Sequence, residues 1–211
     1  MPLQNRVDPF GRLHPVSARG TFTGNRGVIH EPETRTLAGR RWTTRAWIIC
    51  VCKYKDRPPR DVWGRNGRSG GAGWSELFFR DEVTALAAGH RPCFTCRRED
   101  AKRFQAAFVI GNGLETASAP EMDARLHAER RVSMRGMPGL VEVDGLPDGA
   151  MVEVEGAAFA KRDGEWWRWT WEGDEKADVG AREAVLVTPR STVGALRGGY
   201  APDRGGRLNP A

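Results

Sequence analysis

Four cysteines carry the clearest chemical signal in this 211-residue chain: Cys50 and Cys52, separated by one residue, and Cys93 and Cys96, separated by two. Cys93-Phe-Thr-Cys96 has the spacing at which two thiolates share one tetrahedral zinc ion. Thioredoxin-like redox chemistry uses the same spacing, but places it at the start of a helix after a strand in a βαβ unit. Here the motif follows a helical pattern and a second cysteine pair lies upstream, which fits one four-thiolate site better. Cys50 and Cys52 stand at i and i+2, so on a strand both side chains point to one face. The expected ligands are therefore Cys50, Cys52, Cys93 and Cys96, with Zn2+ as cofactor. His90, directly before Arg91-Pro92-Cys93, is an alternative ligand. A solvated histidine at a helix C-terminus, favoured by the dipole, is the plainer reading of it.

Other residues have types suited to acid–base work. His30 follows the Asn25-Arg26-Gly27 turn and is a candidate catalytic residue on a loop. Asp123 and His127 lie four apart in a charged helical segment, where one could act as base and the other orient it. Ordinary polar pairing on a helix surface explains that spacing as well. Gly64–Gly73, with Arg65 and Arg68, is suited to cradling phosphate through backbone amides. It lacks the Gly-Lys-Ser/Thr ending of a P-loop, so nucleotide hydrolysis is unsupported.

The net charge of +6 hides an asymmetry. Residues 1–110 carry 20 Lys+Arg against 10 Asp+Glu, whereas residues 111–211 carry 13 against 17. Arginine forks suit phosphate, and a basic block on a folded domain is the footprint of a polyanion partner. A GC-rich genome accounts for abundant arginine, but not for its segregation into one half. Trp42, Trp47, Trp63 and Trp74 lie among these arginines, where stacking on bases is plausible. The expected partner is nucleic acid, with DNA preferred. Arg45, Arg65, Arg68, Arg91, Arg97, Arg98 and Trp47 are the candidate contacts. No stretch approaches the roughly 20 apolar residues of a membrane span. The opening Met-Pro-Leu-Gln-Asn-Arg lacks the apolar core of a signal peptide, so a soluble cytoplasmic protein is expected and disulfides are not.

The elements that must position these residues read as an α+β chain. Residues 1–41 form an irregular arm with a short strand near Gly20–Thr23. Arg41–Tyr54 is rich in β-branched and aromatic residues, which argues a strand stopped by Pro58-Pro59. Gly64–Gly73 reads as a flexible loop. Asp81 is a good N-cap for a helix carrying Val83, Leu86 and Ala87, with Gly89 as its stop. A second helix runs from about Glu99 to Phe108, and a third from Pro120 to Arg131, the two joined by a linker within 111–138. From Gly139 the period becomes two. Val141 and Val143 are expected to pair across the Asp148-Gly149 turn with Met151, Val152 and Val154. Trp167, Trp169 and Trp171 share one strand face, read as core rather than a base-stacking platform. Ala184–Thr188 is a further strand, followed by a helical turn over Thr192–Leu196. This β-rich unit covers 139–200, and residues 201–211 are expected to be a flexible tail.

Trp74–Arg98 (WSELFFRDEVTALAAGHRPCFTCRR) resembles the zinc-binding domain of the Ada family of DNA methyl-transfer proteins. The likeness lies in an aromatic strand, a short helix ending Ala-Ala-Gly, and then Arg-Pro-Cys-x-x-Cys. Thr43-Thr44-x-x-x-Ile48-Ile49-Cys50 also resembles the segment before that family's methyl-accepting cysteine. The resemblance covers about residues 42–108 and makes 42–110 an Ada-like zinc-binding α/β module. It implies four thiolates on zinc, one of which accepts a methyl group from a DNA phosphotriester. By position Cys50 matches the acceptor, and Cys93 and Cys96 match the downstream pair. The family's upstream pair is spaced C-x-x-x-C, whereas Cys52 follows Cys50 after one residue. The second half resembles neither the recognition nor the alkyltransferase domain of that repair protein. Three readings follow: a zinc-dependent nucleic-acid-binding protein in repair or regulation, an enzyme acting on nucleic acid through Cys50 or a histidine, or a structural zinc module for protein contacts.

Overall fold

Strands of two to four residues, too short to show alternation in sequence, build the first sheet. The computed structural model describes residues 1–55, 61–134 and 139–204; the Pro58-Pro59 stop and the last seven residues of the expected tail lie outside these. The segment expected to be an irregular arm supplies β1 (Arg6–Val7), β2 (Leu13–His14), β3 (Phe22–Asn25), β4 (His30–Glu31) and β5 (Thr36–Leu37). They are followed by β6 (Ile48–Val51), β7 (Leu77–Phe79), α1 (Glu82–Ala87) and β8 (Arg91–Pro92). The sheet order is β2-β1-β7-β3-β6-β8, while β4 and β5 pair with each other. β3 runs antiparallel to β6 and β7, and β6 lies parallel to β8.

The strand expected over Arg41–Tyr54 is thus confined to four residues. Residues 41–47 instead form a loop folded onto Arg26. Its carbonyl accepts the N–H groups of Thr43 and Thr44 at 2.8 and 3.3 Å, and Thr43 Oγ1 accepts the Val28 N–H at 2.8 Å. The glycine-rich loop closes on Asn66, whose Oδ1 accepts the Gly73 N–H at 2.8 Å and whose Nδ2 donates to the Trp74 carbonyl at 3.0 Å.

α1 begins as expected: Asp81 Oδ1 accepts the Thr84 N–H at 2.7 Å. It ends at Gly89, whose φ of +84° suits glycine and whose missing side chain leaves room for Arg130. α2 (Arg98–Gly111) buries Phe104 and Phe108, and α3 (Ala119–Met134) buries Met122 and Leu126. Both outrun their expected lengths.

β9 (Leu140–Glu142), β10 (Met151–Val154), β11 (Ala157–Arg162), β12 (Glu165–Trp169), β13 (Asp174–Lys176) and β14 (Glu183–Leu186) form a second, wholly antiparallel sheet in the order β13-β12-β11-β10-β14-β9. The expected β9–β10 hairpin is absent because β14 lies between them. Asp148 does not seed a hairpin there; its carboxylate accepts the N–H groups of Asp163 and Gly164 at 2.8 and 3.0 Å. The tight hairpin turns are Glu155-Gly156 and Asp163-Gly164, each with positive φ at both residues. α4 (Arg190–Arg197) packs on α2 so closely that a Cβ on Gly111 would lie 1.7 Å from the Gly194 carbonyl oxygen.

One apolar cluster runs through both sheets and includes Val7, Ile49, Phe79, Phe108, Val152 and Leu196. The tryptophans of β12 are half-buried rather than core. Trp169 Nε1–H donates to Thr84 Oγ1 in α1 at 2.9 Å, and Arg80 lies over its ring while pairing with Asp81 and Asp174. Those contacts fasten the second sheet to the first. The fold is α+β. No helix among the described residues is long and apolar enough to cross a membrane.

Candidate metal centre

Two parallel neighbours, β6 and β8, set the register of the site. Ile49 pairs with Pro92, and the Cys93 N–H donates to the Ile49 carbonyl at 3.0 Å, so Cys93, just past β8, comes beside Cys50 within β6. The chain then turns: Arg97 N–H returns to the Cys93 carbonyl at 3.0 Å and the Thr95 N–H points at Cys93 Sγ at 3.3 Å. This turn swings Cys96 back beside the other two. The Sγ atoms of Cys50, Cys93 and Cys96 all lie within 4.8 Å of one another.

Zn–S bonds of about 2.3 Å at tetrahedral angles put sulfurs about 3.8 Å apart, so the three need close in by no more than about 1 Å to share an ion. All three are free thiols, Cys93 buried and the others half-buried. Hydrogen bonds from Cys50 and Cys96 hold the Cys93 thiol far below its ordinary range. The same bonds, with burial, push Cys50 upward. A cation bound among them would displace the protons they share. The group could therefore hold a metal ion.

Cys52 does not join it. β6 ends at Val51, so the same-face rule for i and i+2 no longer applies. Cys52 is exposed and its thiol turns to the Thr21 carbonyl at 3.4 Å, on the β3 side. His90 is also elsewhere. It is fully buried against Phe79 and Trp47 and accepts the Arg26 Nε–H at 3.3 Å. Burial and the charges of Arg26 and Arg130 hold it well below the usual histidine range. No fourth cysteine, histidine or carboxylate among the described residues joins the three thiols.

The acid–base candidates are dispersed. His30 is buried and stacked on Trp63, with Nδ1 2.6 Å from Ser75 Oγ and Nε2 3.4 Å from the Gly64 carbonyl. Asp123 does not orient His127; both its oxygens accept from Arg91, at 2.8 and 2.7 Å, in a buried pair. His127 meets the Trp42 ring edge-on instead.

Three of the expected nucleic-acid contacts are interior. Arg91 is committed to Asp123. Arg97 forks onto Glu82, which also accepts from Tyr200 and from the Asp203 N–H. Trp47 is 1% exposed, between the guanidiniums of Arg26 and Arg130 at 4.1 and 4.2 Å from its ring centre. Desolvation drives each of these charges toward a partner inside the fold, which charge counting along the sequence does not register. Arg45, Arg65, Arg68 and Arg98 are exposed, and Arg65 pairs with Glu33. Arg26 and Arg130 escaped the sequence reading, since neither has a local sequence signal of burial: Arg26 stands between Asn25 and Gly27, and Arg130 between Glu129 and Arg131.

Comparison with models of known families, with curated proteins and with solved structures yields no match. Fold and site together define an α+β protein with a three-cysteine group able to take a metal ion. That group alone does not identify an Ada-type domain.

Proposed function

We propose that this chain is a zinc-dependent nucleic-acid-binding protein, with Cys50, Cys93 and Cys96 as the protein's ligands to zinc and DNA as the preferred partner in repair or regulation. The observation that carries the reading is the convergence of the three thiols, within the segment whose sequence resembles the Ada zinc domain. The basic first half supports the polyanion partner. A bound zinc would supply folding free energy and keep the sulfurs deprotonated at neutral pH. Cys50 and Cys93 would tie β6 to β8, and Cys96 would tie both to the start of α2.

The test is metal analysis of the purified chain together with a DNA titration at graded salt. One zinc per chain and binding that weakens steeply with salt support the reading. No stoichiometric metal, or no binding at low salt, removes it.

The ligand count favours a second reading. Three protein ligands are the usual number where a zinc site keeps a position for solvent or substrate. In that case Cys50, which matches the methyl acceptor in the Ada resemblance and is half-buried like Cys96, is the sulfur to take an alkyl group from a DNA phosphotriester. A sulfur–carbon bond forms, the carbon–oxygen bond breaks, and the phosphodiester anion leaves. A mass gain of one methyl on Cys50 after incubation with methylated DNA separates this from binding alone.

A further inference from the structure

The loop of residues 41–47 and the second half of α3 carry three exposed arginines, with Glu129 of α3 turned to Arg125 and Ser191. Arg41, Arg45 and Arg131 are exposed and make no ion pair with any described residue. Nearby arginines do pair: Arg35 with Asp61, Arg40 with Glu31, and Arg65 with Glu33. Trp42 is half-buried at this surface, its ring 6.3 Å from Trp47 and 5.4 Å from His127.

Beneath it lies the Arg26–Trp47–Arg130 stack. Neither buried guanidinium meets a carboxylate among the described residues. Arg26 donates to the Gly11 carbonyl at 2.9 Å and to His90, and Arg130 donates to the carbonyls of Gly89 and Arg45. Arg26 Nη2, Arg130 Nε and His127 Nδ1 have no hydrogen-bond partner among the described residues. Burial, with the charges of Arg41 and Arg130, pulls Arg26 down to about 9, and burial pulls Arg130 down to about 10. Asp8 acts on Arg26, and Asp123 and Glu129 act on Arg130, without a direct ion pair; buried cations held this way are costly, and an anion laid against the outer surface relieves them. The stack also fixes the loop from below, because Arg130 holds the Arg45 carbonyl and Arg26 holds the Thr43 and Thr44 amides.

We propose that this surface binds single-stranded nucleic acid, with Arg41, Arg45 and Arg131 on phosphates and Trp42 stacked on a base. The assignment rests on the nucleic-acid reading above. A partly exposed indole beside arginines suits a single strand, because duplex bases already stack on one another and offer no free face. Arg26 and Arg130 are positioning residues, shut away from the strand.

The experiment titrates the full metal-loaded chain into labelled oligo-dT and a duplex of equal length, at several salt concentrations. The single strand is expected to bind more tightly than the duplex. Trp42→Ala weakens it about tenfold or more, whereas Trp42→Phe, which keeps a stacking ring, retains most binding. Arg45→Gln with Arg131→Gln flattens the log–log salt slope by about 1.4, at about 0.7 for each phosphate lost. Arg162→Gln with Arg168→Gln, in the acidic half, leaves affinity and slope unchanged, while Arg65→Gln with Arg68→Gln probes the competing glycine-rich loop. Thermal melts confirm that each variant is folded. Loss of binding from the Arg65/Arg68 variant but not from the Trp42 and Arg45/Arg131 variants overturns this surface and leaves the nucleic-acid reading standing. Preference for the duplex overturns the single-strand assignment, and no binding of either oligonucleotide at low salt overturns both readings.

Discussion

Arg97, the residue after the second turn cysteine, reaches Glu82 at the start of α1 through two hydrogen bonds of 2.8 and 3.0 Å, with both side chains buried. Tyr200 O–H and the Asp203 N–H converge on the same carboxylate. One acid thus joins the cysteine turn, the first helix and the chain beyond α4. Glu82→Ala leaves the Arg97 charge buried without its main partner, although Asp100 remains within reach. The expected cost is about 3–5 kcal/mol of unfolding free energy, measured by denaturant titration. A loss below about 1 kcal/mol would show that the pair is not desolvated as described.

The three-cysteine group makes a sharp contrast between a cysteine inside it and the one outside it. Cys93→Ser removes a ligand and is expected to abolish stoichiometric zinc and lower the melting temperature. Cys52→Ser is expected to leave both unchanged, because its thiol turns toward Thr21. Elemental analysis of the two variants decides the point, and equal metal loss from both would place Cys52 in the site.

What the sequence revealed divides along physical lines. Asp81 and Gly89 were legible as helix ends because a cap and a positive-φ glycine are local events. Cys93 and Cys96 were legible for the same reason, since two residues in one turn must be close. Cys52 was not, because its orientation depends on where β6 stops, and pairing with β3 and β8 sets that. The central position of β3 and the separation of β9 from β10 by β14 are likewise matters of long-range pairing. Strands of two to four residues carry no periodicity from which to read it. The buried Arg26–Trp47–Arg130 stack needs three distant segments to meet, and nothing local marks it.

Packing between α2 and α4 tests the fold independently of any site. Gly111 leaves no space for a side chain, since a Cβ would meet the Gly194 carbonyl 1.7 Å away. Gly111→Ala must push the helices apart, with an expected loss of about 1–3 kcal/mol. The same exchange at Gly113, where nothing lies within 4 Å, meets strain from its φ of +61° but no clash. Denaturation midpoints compare the two, and a tolerated Gly111→Ala would mean that the helices are not in contact there.

The last prediction concerns acid. Burial lowers His30, and burial with neighbouring arginine charges lowers His90 and His127 below the ordinary histidine value of about 6.5. In the folded chain they stay neutral where the unfolded chain takes up protons. Their contribution to stability is therefore complete above about pH 6.5 and is lost as pH falls toward their folded values. His90 adds up to about 1.4 kcal/mol per pH unit while the unfolded form is protonated and the folded form is not, and the more solvated His30 and His127 add less. His90 has the longest window, because it is fully buried beside Arg26 and Arg130. Unfolding free energy should drop between pH 7 and pH 5, and His90→Gln should flatten that slope by up to about 1.4 kcal/mol per unit while retaining an acceptor for Arg26. Any slope from the cysteine group is common to wild type and His90→Gln and cancels in the comparison. An unchanged slope in His90→Gln would mean that His90 is protonated in the folded chain, and the Arg26 Nε–H would then have no acceptor there.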